Sequence, residues 1–568
     1  MAIDALANGA RNLGRLGRLL TTRAVAGFSP RRLMRLAPSM SVPAELVSVP
    51  RPILPGSGPR GAELYSGVFS FAGHRVDAGP GSIFTARAPS REWEEGLHGF
   101  GWLADLAAAD NALSRAYARS LVEEWAAHVR MKRLPRQPDI AARRLINLLT
   151  YSALLLNGAD TEFRRLLLRL IARHAASLRR DLRRLPAGLP RLLPAIALAS
   201  AGLSLPDGSR MLKAATDALN TELRRLVLTD GGPATRNPDD LLSWAADLLP
   251  LREAFAARAL EAPRELLPAL DRMWPMLRFF RHPEGSLALF NGMGPTRRDL
   301  LEAVLARDDV RGKPVLNTPF SGYQRLEAVN AVIVADAGPP PSLELSSRVH
   351  AGTLSFEFSS GTDKIVMNCG SSLAEAYRHA ARRTAAHSTL TVNETSSSRF
   401  LRGWAARLTG PVLRHGPQHV EAKREDRRDG TALRMSHDGY ASRFGVIHQR
   451  MLRLDAGGGR LDGLDVLKPV RSGTTEAVLR FHLHPDVRAT ALKDKGTVLL
   501  VPSSGDVWLF SCDGHPASIE ESVYFAAPEG PRGAEQIVVR LGRTAGVRAQ
   551  WTFERTGSEM GASALELG

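Results

Sequence analysis

Three short segments in the second half of the chain carry side chains that could do acid–base or metal chemistry. One is Arg348-Val349-His350, the second ends in Asn368-Cys369-Gly370, and the third is Ala386-His387-Ser388-Thr389. Each segment stands at the edge of an alternating, strand-like run. Strands that return beside one another would bring the two histidines and the asparagine together, so the sequence predicts a polar site built on rigid elements.

A second group of proton-exchanging side chains lies further along the chain. His437 and Tyr440 stand in the segment His437-Asp438-Gly439-Tyr440. Imidazole and phenol can take or give a proton within hydrogen-bond reach of a substrate, so both join His387 as candidate acids or bases. An Asp-Gly pair is also a common turn, and a structural role for this segment stays open.

The first group raises the question of a metal. Zinc prefers imidazole, thiolate and carboxylate ligands, so His350 and His387 suit it, whereas the amide of Asn368 is a poor ligand. Cys369 could supply a thiolate, but alternation along a strand points its side chain to the opposite face. A zinc site of His350, Asn368 and His387 is one alternative, and histidines that bond only to backbone carbonyls are the other.

Composition limits the class of protein and of partner. The 568 residues are 44% hydrophobic and 23% charged, which is typical of a globular protein with several domains. The net charge of +17 favours an acidic partner, such as a polyanionic glycan, a nucleic acid or an anionic membrane surface. No nucleic-acid module is recognised and aromatic residues are few, so no specific nucleic-acid partner is expected. A genome that favours Arg and Ala is the alternative source of the charge.

The first 45 residues are a basic segment, with seven arginines against Asp4 and Glu45. We predict a flexible N-terminal arm over residues 1–45, which either contacts a membrane surface or is a plain exposed tail. Arg31-Arg32 is similar to a twin-arginine signal, but Leu36-Ala37-Pro38-Ser39 is no apolar core. No cleavable signal is visible, so a cytoplasmic location stays open.

The hydrophobic period divides the remainder into three parts. Residues 46–90 are rich in Gly and Pro and predict a lead-in segment with a hairpin near Val68-Phe69-Ser70-Phe71. Over residues 91–310 apolar side chains recur every three and four positions, which predicts a helical domain. Beyond a linker at Gly312-Lys313-Pro314, residues 318–568 alternate and predict antiparallel sheets layered as a sandwich. The helices are predicted over 110–131, 139–156, 161–185, 209–228, 239–262 and 297–306.

These motifs carry a family resemblance. The run from His350 through Leu354-Ser355-Phe356, the strand that ends at Asn368, and Ala386-His387-Ser388-Thr389 are similar to the C-terminal domain of the heparinase II/III-like polysaccharide lyases. In the first half, Asp230-Gly231-Gly232 and the residues that follow it to Leu241 resemble another motif of that family. The resemblance covers about residues 60 to 545.

The resemblance implies an α+β multidomain fold, an incomplete α/α toroid followed by an antiparallel β-sandwich-like domain, in a protein of the cell envelope or periplasm. It implies β-elimination from an acidic, uronate-containing glycan such as a glycosaminoglycan. A base then removes the C5 proton, an acid serves the C4 oxygen, and a positive group stabilises the carboxylate. It also implies zinc at the positions of His350, Asn368 and His387.

The chain departs from the family pattern where the chemistry would lie. Arg348 stands at the first histidine of the pattern, Asp240 at its tyrosine and Leu241 at a further histidine. Basic side chains could still neutralise a uronate carboxylate. The predicted catalytic residues are His387, His437, Tyr440 and Arg348. The predicted substrate-binding residues are Arg191, Arg236, Asn237 and Asp240.

Two functions therefore follow from the sequence. The retained His350, Asn368 and His387 favour a polysaccharide lyase. The changed positions favour a non-catalytic glycan-binding or scaffolding protein of the cell envelope that keeps the lyase fold. Whether the chain is an enzyme stays open, and zinc is the one cofactor that the sequence suggests.

Overall fold

The computed structural model describes residues 43–79, 81–128, 133–308, 310, 312–372, 375–494, 496–544 and 546–556. The predicted arm over residues 1–45 lies outside the described residues up to position 42. The described chain forms two compact units. The helical unit comprises the described residues up to Val227, with Ser243–Asp271 and Glu302–Arg307. The sheet unit comprises Leu228–Leu242, Arg272–Leu301 and the described residues from Asp308 onward.

The helices follow one another through the first half of the chain, and three short ones lie among the strands. Their bounds are α1 Gly58–Tyr65, α2 Arg91–Gly99, α3 Leu103–Ala109, α4 Ala112–His128, α5 Pro138–Thr150, α6 Ser152–Leu156, α7 Thr161–Leu182, α8 Leu189–Ser204, α9 Ser209–Leu226, α10 Pro238–Ala257, α11 Leu266–Phe280, α12 Arg298–Leu305, α13 Glu375–Ala381, α14 Gly403–Thr409 and α15 Ala441–Phe444.

Local sequence explains where helices begin and how closely they pack. The carboxylate of Asp160 accepts the backbone N–H of Phe163 at 2.7 Å and caps α7. Helix α8 is buried around almost its whole circumference. At Gly202 the backbone of α9 comes so near that an added Cβ would lie 2.9 Å from the nitrogen of Leu212. Glycine at this position therefore permits close packing of α8 on α9.

The strands begin with a small hairpin and then fill the second half of the chain. Their bounds are β1 Val68–Phe71, β2 His74–Asp77, β3 Asn317–Thr318, β4 Tyr323–Ala328, β5 Ala331–Asp336, β6 Phe356–Ser360, β7 Asp363–Met367, β8 Leu390–Val392, β9 Arg399–Phe400, β10 Leu413–His415, β11 Val420–Arg427, β12 Gly430–His437, β13 Val446–Asp455, β14 Arg460–Pro469, β15 Thr475–Leu483, β16 Arg488–Ala491, β17 Thr497–Val501, β18 Val507–Cys512, β19 Ala517–Tyr524, β20 Arg532–Thr544 and β21 Val547–Thr556.

Two antiparallel sheets make the core of the sheet unit. In the described chain the first has the order β11-β12-β13-β14-β21-β18-β17-β16 and the second β19-β20-β15-β7-β6-β5-β4-β3, with β8 also paired to β15. Aromatic side chains such as Phe356, Phe481 and Trp551 belong to one apolar cluster with residues of both sheets. Strands β13 and β14 alternate buried and less buried residues, whereas β5 and β6 are buried throughout. The second sheet is therefore covered on both faces. The face that points away from the first sheet can hold buried polar groups.

The predicted class, helices followed by antiparallel sheets, is confirmed. Within residues 318–568 the sequence predicts strands at Ala331–Asp336 and Thr353–Phe358. Strand β5 has the first pair of bounds, and β6 begins at Phe356 rather than at Thr353. The longest helices that the prediction omitted are α8 and α11. The first is apolar on nearly all sides, so it shows no helical period, and Pro275 lies within the second.

Candidate functional site

His350 and His387 form a buried imidazole pair in the sheet unit. The rings meet edge to face, with Nδ1 of His350 3.2 Å from Nε2 of His387. Nδ1–H of His387 donates to the carbonyl of Arg383 at 2.8 Å. Nε2 of the neutral His387 ring is therefore an acceptor, and Nδ1–H of His350 donates to it. This order of hydrogen bonds leaves Nε2 of His350 with a free lone pair that can accept a hydrogen bond.

Burial sets the charge of the pair. Desolvation lowers the pKa of His387 to about 4. Desolvation, with the positive charges of Arg382 and Arg348 nearby, holds the pKa of His350 well below its ordinary value. Both rings are neutral near pH 7, so Nε2 of His350 can accept a proton or a hydrogen bond.

Asn368 lies beside this pair, but its amide is engaged elsewhere. Its Oδ1 accepts the N–H of Ser388 at 3.0 Å, and its backbone N–H donates to Glu357 at 2.9 Å. Within the described residues, no three His, Cys, Asp or Glu side chains converge as a metal site. Two imidazoles without an anionic ligand do not fit the zinc that the resemblance implies. The sulfur of Cys369 lies 3.5 Å from Nδ1 of His482.

Behind Asn368 is a buried charged cluster that the sequence prediction omitted. Oε2 of Glu357 lies 3.0 Å from Nε2 of His282 and 3.3 Å from the ammonium of Lys364. Burial opposes ionisation of this acid, but Lys364 and the hydrogen bond from His282 outweigh burial and lower the pKa of Glu357 to about 2. Glu357 alternates with Phe356 and Phe358, so periodicity alone assigns it to a solvent face.

Arg348 and Asp240 form an ion pair with each other. The guanidinium donates from Nη1 to Oδ1 of Asp240 at 2.9 Å and from Nη2 to Asp239 at 3.3 Å. Burial raises the pKa of Asp240, while Arg348 counteracts this shift. The side chain of Arg348 is 53% exposed and that of Asp240 is 13% exposed. These are the positions at which the resemblance expects a histidine and a tyrosine.

Arg236 is committed to the protein. Its guanidinium is buried 4.5 Å above the ring of Tyr323 and bonds Asp336 at 2.8 Å. It also donates to the carbonyls of Ser321, Gly322, Gly338 and Pro339. With these donors already bonded, the predicted contact to substrate is disfavoured, and the geometry favours a structural role.

Asn237 and Asn291 lie close to the histidine pair. Asn237 is fully buried, and its Nδ2 has no hydrogen-bond partner among the described residues. Asn291, which the prediction omitted, accepts the N–H of His350 at 3.3 Å and donates to the hydroxyl of Tyr323 at 2.7 Å. The local sequence at this position is Asn291-Gly292, which is typical of a turn. The free amide of Asn237 is thus the member of this group that can donate to a ligand.

His437 and Tyr440 belong to a different, fully buried network. His437 accepts the N–H of Gly439 at 3.0 Å, which leaves its other ring nitrogen to donate to His448 at 3.4 Å. His448 lies 2.6 Å from Asp465, and the hydroxyl of Tyr440 donates to the carbonyl of Leu390 at 3.0 Å. Because these polar atoms have internal partners, the geometry favours a structural role over the predicted catalytic one.

Arg191, the remaining predicted substrate contact, lies in the helical unit. Its guanidinium is 3.4 Å from the carboxylate of Glu222, which is fully buried and also accepts the N–H of Gly188 at 2.7 Å. The pair holds the start of α8, where Gly188 precedes the first turn. This contact gives Arg191 a structural partner.

Comparison with known proteins identifies the family of the chain. The family model "Heparinase II/III-like, C-terminal" matches residues 310–552. FtsZ-localized protein C of Caulobacter vibrioides is 32% identical over 546 residues and covers 93% of each chain. The chain belongs to the heparinase II/III-like family.

Solved structures share the fold. Heparinase III matches with a TM-score of 0.72 at 13% identity, over 92% of this chain and 88% of that chain. Heparan sulfate lyase HepC of Pedobacter heparinus matches with a TM-score of 0.59 at 16% identity, over 98% and 90%. The expected architecture, an α/α toroid followed by a β-domain, is confirmed by these similarities. Among the described residues, no helix is long and apolar enough to cross a membrane.

Proposed function

We propose that this protein is a non-catalytic scaffolding member of its family. It binds FtsZ at the place where FtsZ assembles. The observation that carries the proposal is the ion pair of Arg348 with Asp240. It occupies two positions that the family resemblance assigns to proton transfer.

The chemistry of the pair explains why it disfavours β-elimination. A general base must accept a proton, and arginine stays protonated at any working pH. Asp240, together with Asp239, raises the pKa of Arg348 further, although burial opposes the shift. The carboxylate of Asp240 is neutralised by Arg348, and Leu241 has no proton to exchange. The usual acid and base are therefore replaced by groups that bind each other.

The relative supports the cellular context. FtsZ-localized protein C shares 32% identity across 93% of both chains, so the likeness extends through both units. In this proposal the chain is a cell-envelope protein of the division site. The seven arginines of its first 45 residues contact the anionic membrane surface.

Co-localisation and direct binding test the proposal. A fluorescent fusion should concentrate where FtsZ does, and purified protein should bind purified FtsZ saturably in biolayer interferometry. Replacing His350 or Arg348 by Ala should leave both unchanged, because binding does not use the elimination chemistry. A diffuse fusion together with no binding of FtsZ would contradict the proposal.

A second candidate is a lyase that acts on an acidic glycan through His350. Two observations favour it. In the neutral imidazole pair, Nε2 of His350 is left as an acceptor. The buried Nδ2 of Asn237 is unpaired among the described residues. A base and an amide donor could serve C5 and a uronate carboxylate. The test is ultraviolet absorbance of an unsaturated product from heparan or chondroitin sulfate, which His350→Ala should abolish.

A further inference from the structure

The sheet unit contains an arginine-lined pocket of about 360 Å³. All of its lining residues belong to the segment 379–443. Its lining includes Glu394, which is already paired with Arg480 at 2.9 and 3.0 Å. Five exposed arginines line it without an acidic partner among the described residues. These arginines are Arg383, Arg399, Arg402, Arg414 and Arg443. The pocket therefore concentrates uncompensated positive charge.

A buried hydroxyl in the lining gives a second, independent indication of a ligand. Ser398 is 3% exposed, and its Oγ has no hydrogen-bond partner within the described residues. A buried hydroxyl without a partner is unfavourable, and a ligand oxygen in the pocket would satisfy it. Nearby, Phe400 lies 3.9 Å beneath the guanidinium of Arg382, which fixes this wall.

Two of the pocket arginines also act on a neighbouring histidine. Desolvation, then Arg399 and Arg414, lower the pKa of His415. The imidazole sits on β10, which pairs with the strand that carries Arg399. A cation next to this pocket is disfavoured, as expected for a site that attracts anions.

We propose that this arginine pocket binds a phosphate group. A guanidinium fork matches the oxygens of phosphate, and the tetrahedral group presents acceptors in several directions to donors that surround it. The five positive charges exceed what a single carboxylate would neutralise. The phosphate can belong to a soluble phosphate ester or to a lipid headgroup. Trp404, 71% exposed and two residues from Arg402, suits the second source because tryptophan favours membrane interfaces.

Calorimetry on the full-length protein tests the pocket with pyrophosphate at about 0.15 M salt, where long-range attraction is screened. Binding should be saturable, and the double variant Arg399→Ala/Arg402→Ala should weaken it by about tenfold or more. Ser398→Ala should weaken it less. The control, Arg488→Ala/Arg548→Ala, removes the same charge from exposed positions on β16 and β21 and should bind like the parent. Circular dichroism confirms that every variant is folded.

Vesicles of phosphatidylglycerol, with phosphatidylcholine as reference, distinguish the two sources. Pyrophosphate binding that Trp404→Ala leaves intact assigns a soluble ligand. Binding to phosphatidylglycerol but not to pyrophosphate, weakened by Trp404→Ala and by the pocket variant but not by the control pair, assigns a headgroup. The proposal is overturned if pyrophosphate does not bind and the pocket variant sediments with phosphatidylglycerol like the parent. It is also overturned if the control pair loses as much as the pocket pair, or if glucuronate binds as tightly as pyrophosphate. None of these outcomes depends on FtsZ or on glycan cleavage.

Discussion

At the residue scale, the polar side chains of the candidate site are already bonded within the protein. His350 and His387 bond each other, Asn368 bonds backbone, and Arg348 is paired with Asp240. The result is a neutral imidazole pair near a neutralised acid. Such a group can bind ligands without strong proton transfer.

The ion pair itself should be only moderately stabilising, because half of the Arg348 side chain is exposed. A double-mutant cycle of Arg348→Ala and Asp240→Ala should give a coupling of about 1 kcal/mol in the free energy of unfolding. Chemical denaturation of the four proteins measures it. A coupling near zero would mean that the two side chains do not interact in solution.

The buried imidazoles make stability depend on pH. Burial lowers the pKa of His387 to about 4, so the folded ring binds fewer protons than the unfolded one below its ordinary pKa of about 6.5. The contribution is present above pH 6.5 and is lost as the pH falls toward 4, by up to about 3 kcal/mol for this residue.

Unfolding by urea at a series of pH values measures this loss, and His387→Asn should show a shallower slope between pH 6.5 and 4. An equal slope in the variant would mean that His387 titrates normally in the folded protein.

At the scale of elements, helix α8 is buried and packs closely against α9. Gly202→Ala would place a methyl group 2.9 Å from backbone and Cβ atoms of Leu212, and overpacking of this kind costs about 1–3 kcal/mol. We expect a lower melting temperature for this variant.

The matched control is Gly58→Ala in α1, where an added Cβ meets nothing within 4 Å. This variant should be neutral or slightly stabilised, because alanine restricts the unfolded chain. If both variants melted at the same temperature, the contact between α8 and α9 would be looser than described.

The elements show what the sequence can and cannot predict. Short apolar runs that end in polar or turn residues predict strands at Ala331–Asp336 and Thr497–Val501, which are the observed bounds of β5 and β17. Helix α8 was missed because burial on nearly all sides removes the period. The cluster of Glu357, Lys364 and His282 is not predicted, because it depends on a contact between His282 and Glu357. These residues are 75 positions apart in the sequence, and no local pattern records such a contact.

At the scale of the whole molecule, basic charge is concentrated at the N-terminus. The triple variant Arg11→Ala/Arg15→Ala/Arg18→Ala should reduce sedimentation with phosphatidylglycerol vesicles, since each basic residue near such a surface contributes about 1 kcal/mol. Arg164→Ala/Arg165→Ala/Arg169→Ala removes the same charge from exposed positions on α7 and should sediment like the parent. Equal loss in both variants would assign the effect to net charge alone.

The most direct test of the central claim, that this family member binds without eliminating, is a lyase assay on acidic glycans. Parent protein is compared with His350→Ala and with Arg348→His/Asp240→Tyr/Leu241→His, while heparinase III serves as the positive control. We predict no ultraviolet absorbance of unsaturated product from the parent protein, under conditions in which the positive control reacts to completion. Product that accumulates with the parent and disappears with His350→Ala would contradict the claim and establish a lyase.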